Sequence, residues 1–122
     1  MDAAVLAYNF TGAELKKLKK ICSGKLARVR AVAPEDFAQP VGALCGVEKR
    51  IEPPPPAAPV SEQILVLANF APRQLDALLA DLRTARVGTA ALKAVLTPTN
   101  AKWSADKLCM ELLKEREAAG TP

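Results

Sequence analysis

The residues best suited to ligand chemistry stand together in one stretch, Leu96-Thr97-Pro98-Thr99-Asn100-Ala101-Lys102-Trp103. The stretch follows a predicted strand and precedes a predicted helix. Ligands of open α/β sheets bind at such places, beyond the carboxyl ends of the strands. Asn69 follows another predicted strand, and parallel pairing of the two strands would bring it to the same edge. The sequence therefore predicts a loop that could hold a small anionic or planar ligand through Asn69, Thr97, Thr99, Asn100, Lys102 and Trp103.

The same residues also have a purely structural interpretation. Thr-Pro-Thr-Asn is ordinary turn chemistry, in which Pro98 fixes φ and Asn100 closes a turn with its side chain. Trp103 could simply cover the core between the sheet and the last helix. Asn9 stands in the first half of the chain where Asn69 stands in the second, which favours a turn-stabilising role for both over a catalytic one.

Residue usage argues against several kinds of catalysis. The chain contains no histidine, which removes His-based triads and most metal-hydrolase mechanisms. Cys22, Cys45 and Cys109 are widely spaced and odd in number, so neither a disulfide framework nor a zinc site is indicated. We expect three buried thiols. The prediction is a protein with no catalytic residues, no metal and no cofactor, although an enzyme using Lys, Thr and carboxylates stays open.

A run of lysines offers a further interpretation. The formal net charge is +4, and one face of the first predicted helix carries Lys16, Lys17, Lys19 and Lys20. Such a face could bind nucleic acid. However, no aromatic residue interleaves with these lysines, and a solvated helix face accounts for them more simply.

The sequence contains an internal repeat, which indicates a duplicated unit. Asn9-Phe10 and Asn69-Phe70 stand 60 positions apart, and each pair follows an apolar strand and precedes an amphipathic helix. Further along, Pro34 and Pro98 stand 64 positions apart, which indicates a four-residue insertion between helix and strand in the second unit. We therefore predict a single domain over 1–122, made of a first unit (1–50), a Pro-rich linker (51–60) and a second unit (61–120).

Hydrophobic periodicity places strands at 3–8, 27–33, 63–68 and 91–96, and helices at 12–22, 40–47, 72–84 and 105–118. Thr11 and Glu14 match a capping box at the start of the first helix. Each unit should form a parallel strand–helix–strand crossover. Pairing the first strands of the two units in the centre predicts an α/β fold, in which a duplicated β-α-β-α unit forms a four-stranded mixed sheet with packed helices.

Several motifs between Ile64 and Lys114 carry a family resemblance. They are Leu-Ala-Asn-Phe, Gln-Leu-Asp-Ala-Leu-Leu and Leu-Lys-Ala-Val-Leu-Thr-Pro-Thr-Asn, followed by Trp103. This stretch resembles a bacterial family, domain of unknown function 3783. The first half is similar to the N-terminal segment that these small proteins carry. The resemblance implies a small bacterial cytosolic protein and brings no assigned activity, cofactor or catalytic residue.

These observations favour a non-enzymatic binding or interaction module. Such a module could have a regulatory role, and it could form a homodimer. An unidentified partner protein or a second copy would be its partner. Small-ligand binding at 97–103 is the alternative, and nucleic-acid binding through the lysines is a further one. No apolar run is long enough to span a bilayer, and no signal peptide is evident, so we expect no membrane partner and a cytoplasmic location.

Overall fold

A four-stranded sheet forms the centre of the molecule. The structure is a computed structural model that describes residues 3–120. The strands are β1 (Ala4–Tyr8), β2 (Arg28–Val32), β3 (Ile64–Ala68) and β4 (Leu92–Val95). Their order is β2-β1-β3-β4, with β1 parallel to β2, β3 parallel to β4, and β1 antiparallel to β3. The predicted mixed sheet, with the first strands of the two units in its centre, is confirmed.

Four helices cover the sheet. They are α1 (Gly12–Ser23), α2 (Val41–Leu44), α3 (Pro72–Ala85) and α4 (Ala105–Gly120). Two short 3-10 turns, Pro34–Asp36 and Asn100–Lys102, precede α2 and α4. The two halves of the chain thus have the same order of elements. That they arose by duplication stays a prediction from the sequence.

The core has two layers because the central strands are buried on both faces, which is why they read as continuous apolar runs. On one face, the sheet residues pack against α1 and α3; those of the central strands are Val5, Ala7, Leu65 and Leu67. On the other face they pack against α2 and α4; those of the central strands are Leu6, Tyr8, Ile64 and Val66. Side-chain alternation along a strand explains this division.

Glu14 does not close the predicted capping box. The side chain of Thr11 makes no capping hydrogen bond. The Glu14 carboxylate instead accepts hydrogen bonds from Gln63 Nε2 (2.7 Å) and from the Gly88 N–H (3.0 Å). The capping-box prediction is wrong because partners from the other half of the chain take the carboxylate.

Gln74 plays the corresponding part at the start of α3. Its side chain donates to the carbonyl of Lys25, just beyond α1, at 2.9 Å. The first turn of α1 is thereby bonded to the loop after α3, and the first turn of α3 is bonded to the loop after α1. This arrangement is available because β1 and β3 are antiparallel, so α1 and α3 cross the sheet in opposite directions.

Two amide side chains hold the ends of the Pro-rich linker. Asn9, at φ 65°, donates from Nδ2 to the carbonyls of Val60 and Glu62, both at 2.8 Å. Gln39 is fully buried; it donates to the carbonyl of Ile51 (3.0 Å) and accepts from the N–H of Ile51 (2.8 Å). Asn9, for which the sequence predicts a turn-stabilising role, thus anchors one end of the linker, and Gln39 anchors the other.

A close approach between α2 and the 3-10 turn before α4 joins the two halves on the second face. The Val41 N–H donates to the Trp103 carbonyl at 2.8 Å. A Cβ atom on Gly42 would lie 2.8 Å from Cβ of Ala101 and 2.9 Å from its carbonyl oxygen. Only glycine fits at this position.

We predict that Gly42→Ala destabilises the fold by about 1–3 kcal/mol, because a methyl group there overpacks the contact with Ala101. Urea unfolding followed by circular dichroism measures the change. Gly24→Ala is the matched control, since the nearest atom to its Cβ is a backbone oxygen at 3.4 Å and its φ is −64°. Equal stability of the two variants would contradict this prediction.

We also predict a loss of stability in alkali. Burial raises the pKa of the Cys22 thiol from 9.0 to about 11. The folded state therefore holds this proton more tightly than the unfolded state, and the stability it contributes is complete below pH 9 and is lost as pH rises towards 11. In Cys22→Ala, the free energy of unfolding should fall less over this range than in the parent protein. Parallel pH slopes for the two proteins would count against this assignment.

Candidate functional site

The carboxyl ends of β3 and β4 lie side by side, as predicted. The two strands are parallel, and the Leu96 N–H donates to the Leu67 carbonyl at 2.9 Å, which continues the ladder beyond β4. Asn69 and Thr97 therefore leave the sheet at the same edge. Asn69 has φ 64°, the left-handed conformation that Asn9 also adopts.

Thr97 and Asn100 bond to each other across the turn. The Thr97 N–H donates to Asn100 Oδ1 at 2.8 Å, and the Asn100 N–H donates to Thr97 Oγ1 at 3.1 Å. Asn100 Nδ2 also donates to the Val95 carbonyl at 3.0 Å. These side chains hold the loop against the end of β4, as the turn interpretation predicts.

A cavity of about 310 Å³ lies between β4 and α4, and we call it the α4 cleft. Its lining consists of Lys93, Ala94, Val95, Thr97, Thr99, Asn100, Trp103, Leu108, Leu112 and Glu115. Four of the six predicted ligand residues thus come together there. Asn69 and Lys102 are not part of this lining. Trp103 is half-buried against the core, and Lys107 Nζ lies 5.6 Å from the centre of its ring.

A second cavity, of about 400 Å³, lies on the opposite side of β4 against α3, and we call it the α3 pocket. Its lining consists of Leu79, Leu82, Arg83, Val87, Gly88, Thr89 and Lys93. None of these residues was predicted from the sequence. No short sequence pattern marks any of these residues as part of a site. The one signal in the sequence is the spacing between corresponding residues of the two halves, which changes from 60 to 64 positions in this region.

The structure shows where that change of offset arises. Leu26 and Arg86, 60 positions apart, both have φ 57°. The residues that follow, Ala27 and Val87, donate their N–H groups to the carbonyls of Cys22 (2.9 Å) and Leu82 (3.0 Å), respectively. Strand β2 then begins at once, at position 28, whereas β4 begins at 92. The extra residues are 88–91, and two of them line the α3 pocket.

Lys93 lies at both cavities. Its ammonium group donates to the carbonyls of Gly88 (2.9 Å) and Ala91 (3.3 Å). Burial, with the nearby positive charge of Arg116 as a second cause, lowers the pKa of Lys93. Arg116 donates to the carbonyls of Ala90 (3.3 Å) and Ala91 (3.4 Å). The side chains of Lys93 and Arg116 therefore both bind the loop that leads into β4.

The outer face of β4 is partly apolar. Leu92 and Ala94 are buried towards α4, whereas Lys93 and Val95 point to the other side and are exposed, Val95 by 51%. Strand β4 therefore has a cavity on each face and an exposed apolar side chain. The other edge strand, β2, exposes Arg28 and Arg30 instead.

The predicted lysine face is exposed on α1. Within residues 3–120, none of Lys16, Lys17, Lys19 and Lys20 forms an ion pair shorter than 4 Å. The five aromatic residues of the chain, three Phe, one Tyr and one Trp, are all buried or half-buried. The lysines therefore lie beside no exposed ring on which a base could stack.

A comparison with known protein families found a match in the second half of the chain. Residues 63–118 match the family described as a domain of unknown function (DUF3783). Over these residues the chain is similar to that family. The resemblance predicted from the motifs is confirmed, and every residue that lines the α3 pocket or the α4 cleft lies within the matched segment. Comparisons with curated proteins and with solved structures found no match.

Two further properties concern the part of the chain that the structure describes. Across residues 3–120, no helix has both the length and the apolar character needed to cross a bilayer. In the same range, no three or more Cys, Asp and Glu side chains are grouped so that they could hold a metal ion.

We predict that Asn100→Ala lowers the free energy of unfolding by about 1–3 kcal/mol, because the Thr97 N–H and the Val95 carbonyl, both in part-buried hydrogen bonds, lose their partner. Thr99→Ala is the control: Thr99 is exposed in the same loop, and the change should stay within about 0.5 kcal/mol. Chemical unfolding of both variants decides between a structural and a ligand-binding role. An Asn100→Ala variant of parental stability would argue against the structural one.

Proposed function

We propose that this chain is a non-enzymatic binding module that receives an extended segment of a partner protein along the outer edge of β4. One observation carries the proposal. In the described sheet β4 has β3 as its only neighbour, and a cavity opens on each of its faces. Strand addition at such an edge gains affinity from main-chain hydrogen bonds and specificity from side chains that enter pockets alternately.

The hydrogen-bond register of β4 supports this binding mode. The N–H groups of Leu92 and Leu96 donate inwards, to the carbonyls of Gln63 (2.8 Å) and Leu67 (2.9 Å). In a parallel ladder the N–H groups of successive residues point alternately to the two sides of the strand. Lys93 and Val95 therefore present their N–H groups outwards, where a partner strand would lie.

Both ends of this edge are closed. The Val95 carbonyl accepts from Asn100, and the Ala91 carbonyl accepts from Lys93 and Arg116. The accessible edge is thus short, which limits uncontrolled edge-to-edge pairing. We infer that the partner contributes a short strand, with neighbouring side chains directed to the α3 pocket and the α4 cleft.

Charge favours a different protein over a second copy. Arg83, Lys93 and Arg116 line the two sides of the β4 edge, against one acidic residue, Glu115. Two copies joined through β4 would bring these cations together, and like charges opposite each other destabilise strand pairs. We therefore propose a neutral or acidic segment as the partner strand.

We place this interaction in a bacterial cytoplasm. The three free cysteines, Cys22, Cys45 and Cys109, support a reducing compartment. We do not extend the proposal to nucleic acid, since the lysines of α1 have no exposed aromatic neighbours.

The proposal is tested by photo-crosslinking followed by a binding measurement. A photoreactive amino acid at position 99, exposed at the α4 cleft, should crosslink to one segment of one partner protein in the source cell. A synthetic peptide of that segment is then titrated calorimetrically against variants. Val95→Pro, which removes an outward N–H and leaves the β3–β4 ladder intact, should weaken binding about tenfold or more.

Ala31→Pro is the matched control, since Ala31 is exposed and is the corresponding kind of position on the other edge strand, β2. It should bind the peptide like the parent protein. Equal affinity of Val95→Pro and Ala31→Pro would refute strand addition at β4. Crosslinks to a second copy alone would replace the proposed partner with a homodimer.

A further inference from the structure

We infer that the α3 pocket binds a small organic acid, with its apolar body in the pocket and its carboxylate between Arg83 and Lys93. This inference goes beyond the proposed function, because such a ligand would occupy the pocket without any partner strand. It rests on the chemistry of the lining, on the unshared charge at the rim, and on the loop that builds the pocket.

The inner wall of the pocket is apolar. Leu82 and Val87 are buried, and Leu79 is half-buried beside them. The volume of about 400 Å³ lies in the range of small-molecule sites, which are typically apolar with a few polar groups that fix orientation. The body of the ligand is therefore expected to be a short aliphatic or aromatic group.

The rim carries two cations and a hydroxyl group. Within residues 3–120, the exposed Arg83 guanidinium forms no ion pair shorter than 4 Å. The Lys93 ammonium is fixed by the carbonyls of Gly88 and Ala91, which use two of its three N–H donors. The third donor, the guanidinium and the Thr89 hydroxyl are available for a carboxylate.

Among residues 3–120, no acidic side chain lines this pocket. Glu14 is not part of the lining, and its carboxylate is engaged by Gln63 and by the Gly88 N–H. Arg116, which bonds to the loop at Ala90 and Ala91, adds a further positive charge near Lys93. The rim is therefore positive overall, and it attracts anions.

The loop that forms the pocket is held rigidly. Gly88 has φ +64°, and a Cβ there would lie 3.3 Å from the ring of Phe10 and 3.4 Å from Cδ1 of Leu65. Glu14 accepts from the N–H of Gly88, and Lys93 donates to its carbonyl. A preformed site loses little ordering entropy when it binds. Because residues 88–91 have no counterpart before β2, this pocket belongs to the second half alone.

The test is a titration of ¹⁵N-labelled full-length protein with octanoate, followed by amide chemical shifts. We expect saturable shifts at Val87, Gly88 and Thr89, with a Kd on the order of a millimolar. Arg83→Gln and Lys93→Gln should each weaken binding about tenfold, since each removes one charge-assisted hydrogen bond. Arg86→Gln is the matched control, because Arg86 lies next to the pocket in sequence and is not part of its lining.

Neutral octanamide separates the role of charge from that of apolar burial. Equal binding of octanamide and octanoate would overturn the carboxylate assignment. Shifts confined to α1, or no shifts at roughly ten times the expected Kd, would overturn the site itself. Val95→Pro should still bind octanoate like the parent protein, so a failure of strand addition and a failure of this pocket are distinguishable.

Discussion

The antiparallel pairing of β1 with β3 is the interaction on which the rest of the structure depends. Its register joins Ala4 to Ala68 and Tyr8 to Ile64, in the most deeply buried part of the sheet. A two-stranded sheet alone is marginal in water, whereas four strands between two helical layers bury both faces. The same pairing orients α1 and α3 in opposite directions, so that the start of each reaches the loop after the other.

The two halves share this framework but differ at their outer edges. Strand β2 ends the sheet with exposed arginines, one of which pairs with Asp36 at 3.6 Å. Strand β4 ends it between two cavities, and residues 88–91 shape one of them. The α3 pocket, the α4 cleft and the exposed side chains of Arg83 and Val95 thus lie beside this strand. These features lie within residues 63–118, the segment that is similar to the DUF3783 family.

Local patterns predicted what depends on local physics. The strand at Ile64–Ala68 is buried throughout, so its apolar run was readable, and the turn at Thr97 and Asn100 was readable because its partners lie three residues apart. The role of Glu14 was not, since its partners lie 49 and 74 positions away. The α3 pocket was missed for a related reason: Arg83 and Lys93 acquire meaning only when α3 and β4 are brought together.

The anchored linker has a consequence for how the fold should be regarded. Asn9 and Gln39 fix its two ends, whereas Pro53, Pro56 and Pro59 between them are exposed. The contacts that join the halves are made by β1 with β3, by α2 with the turn before α4, and by Glu14 and Gln74 with the loops after α3 and α1. The two halves of the molecule therefore meet much as the two subunits of a dimer would. Its linker chiefly sets the effective concentration of one half around the other, and the interface itself is encoded elsewhere.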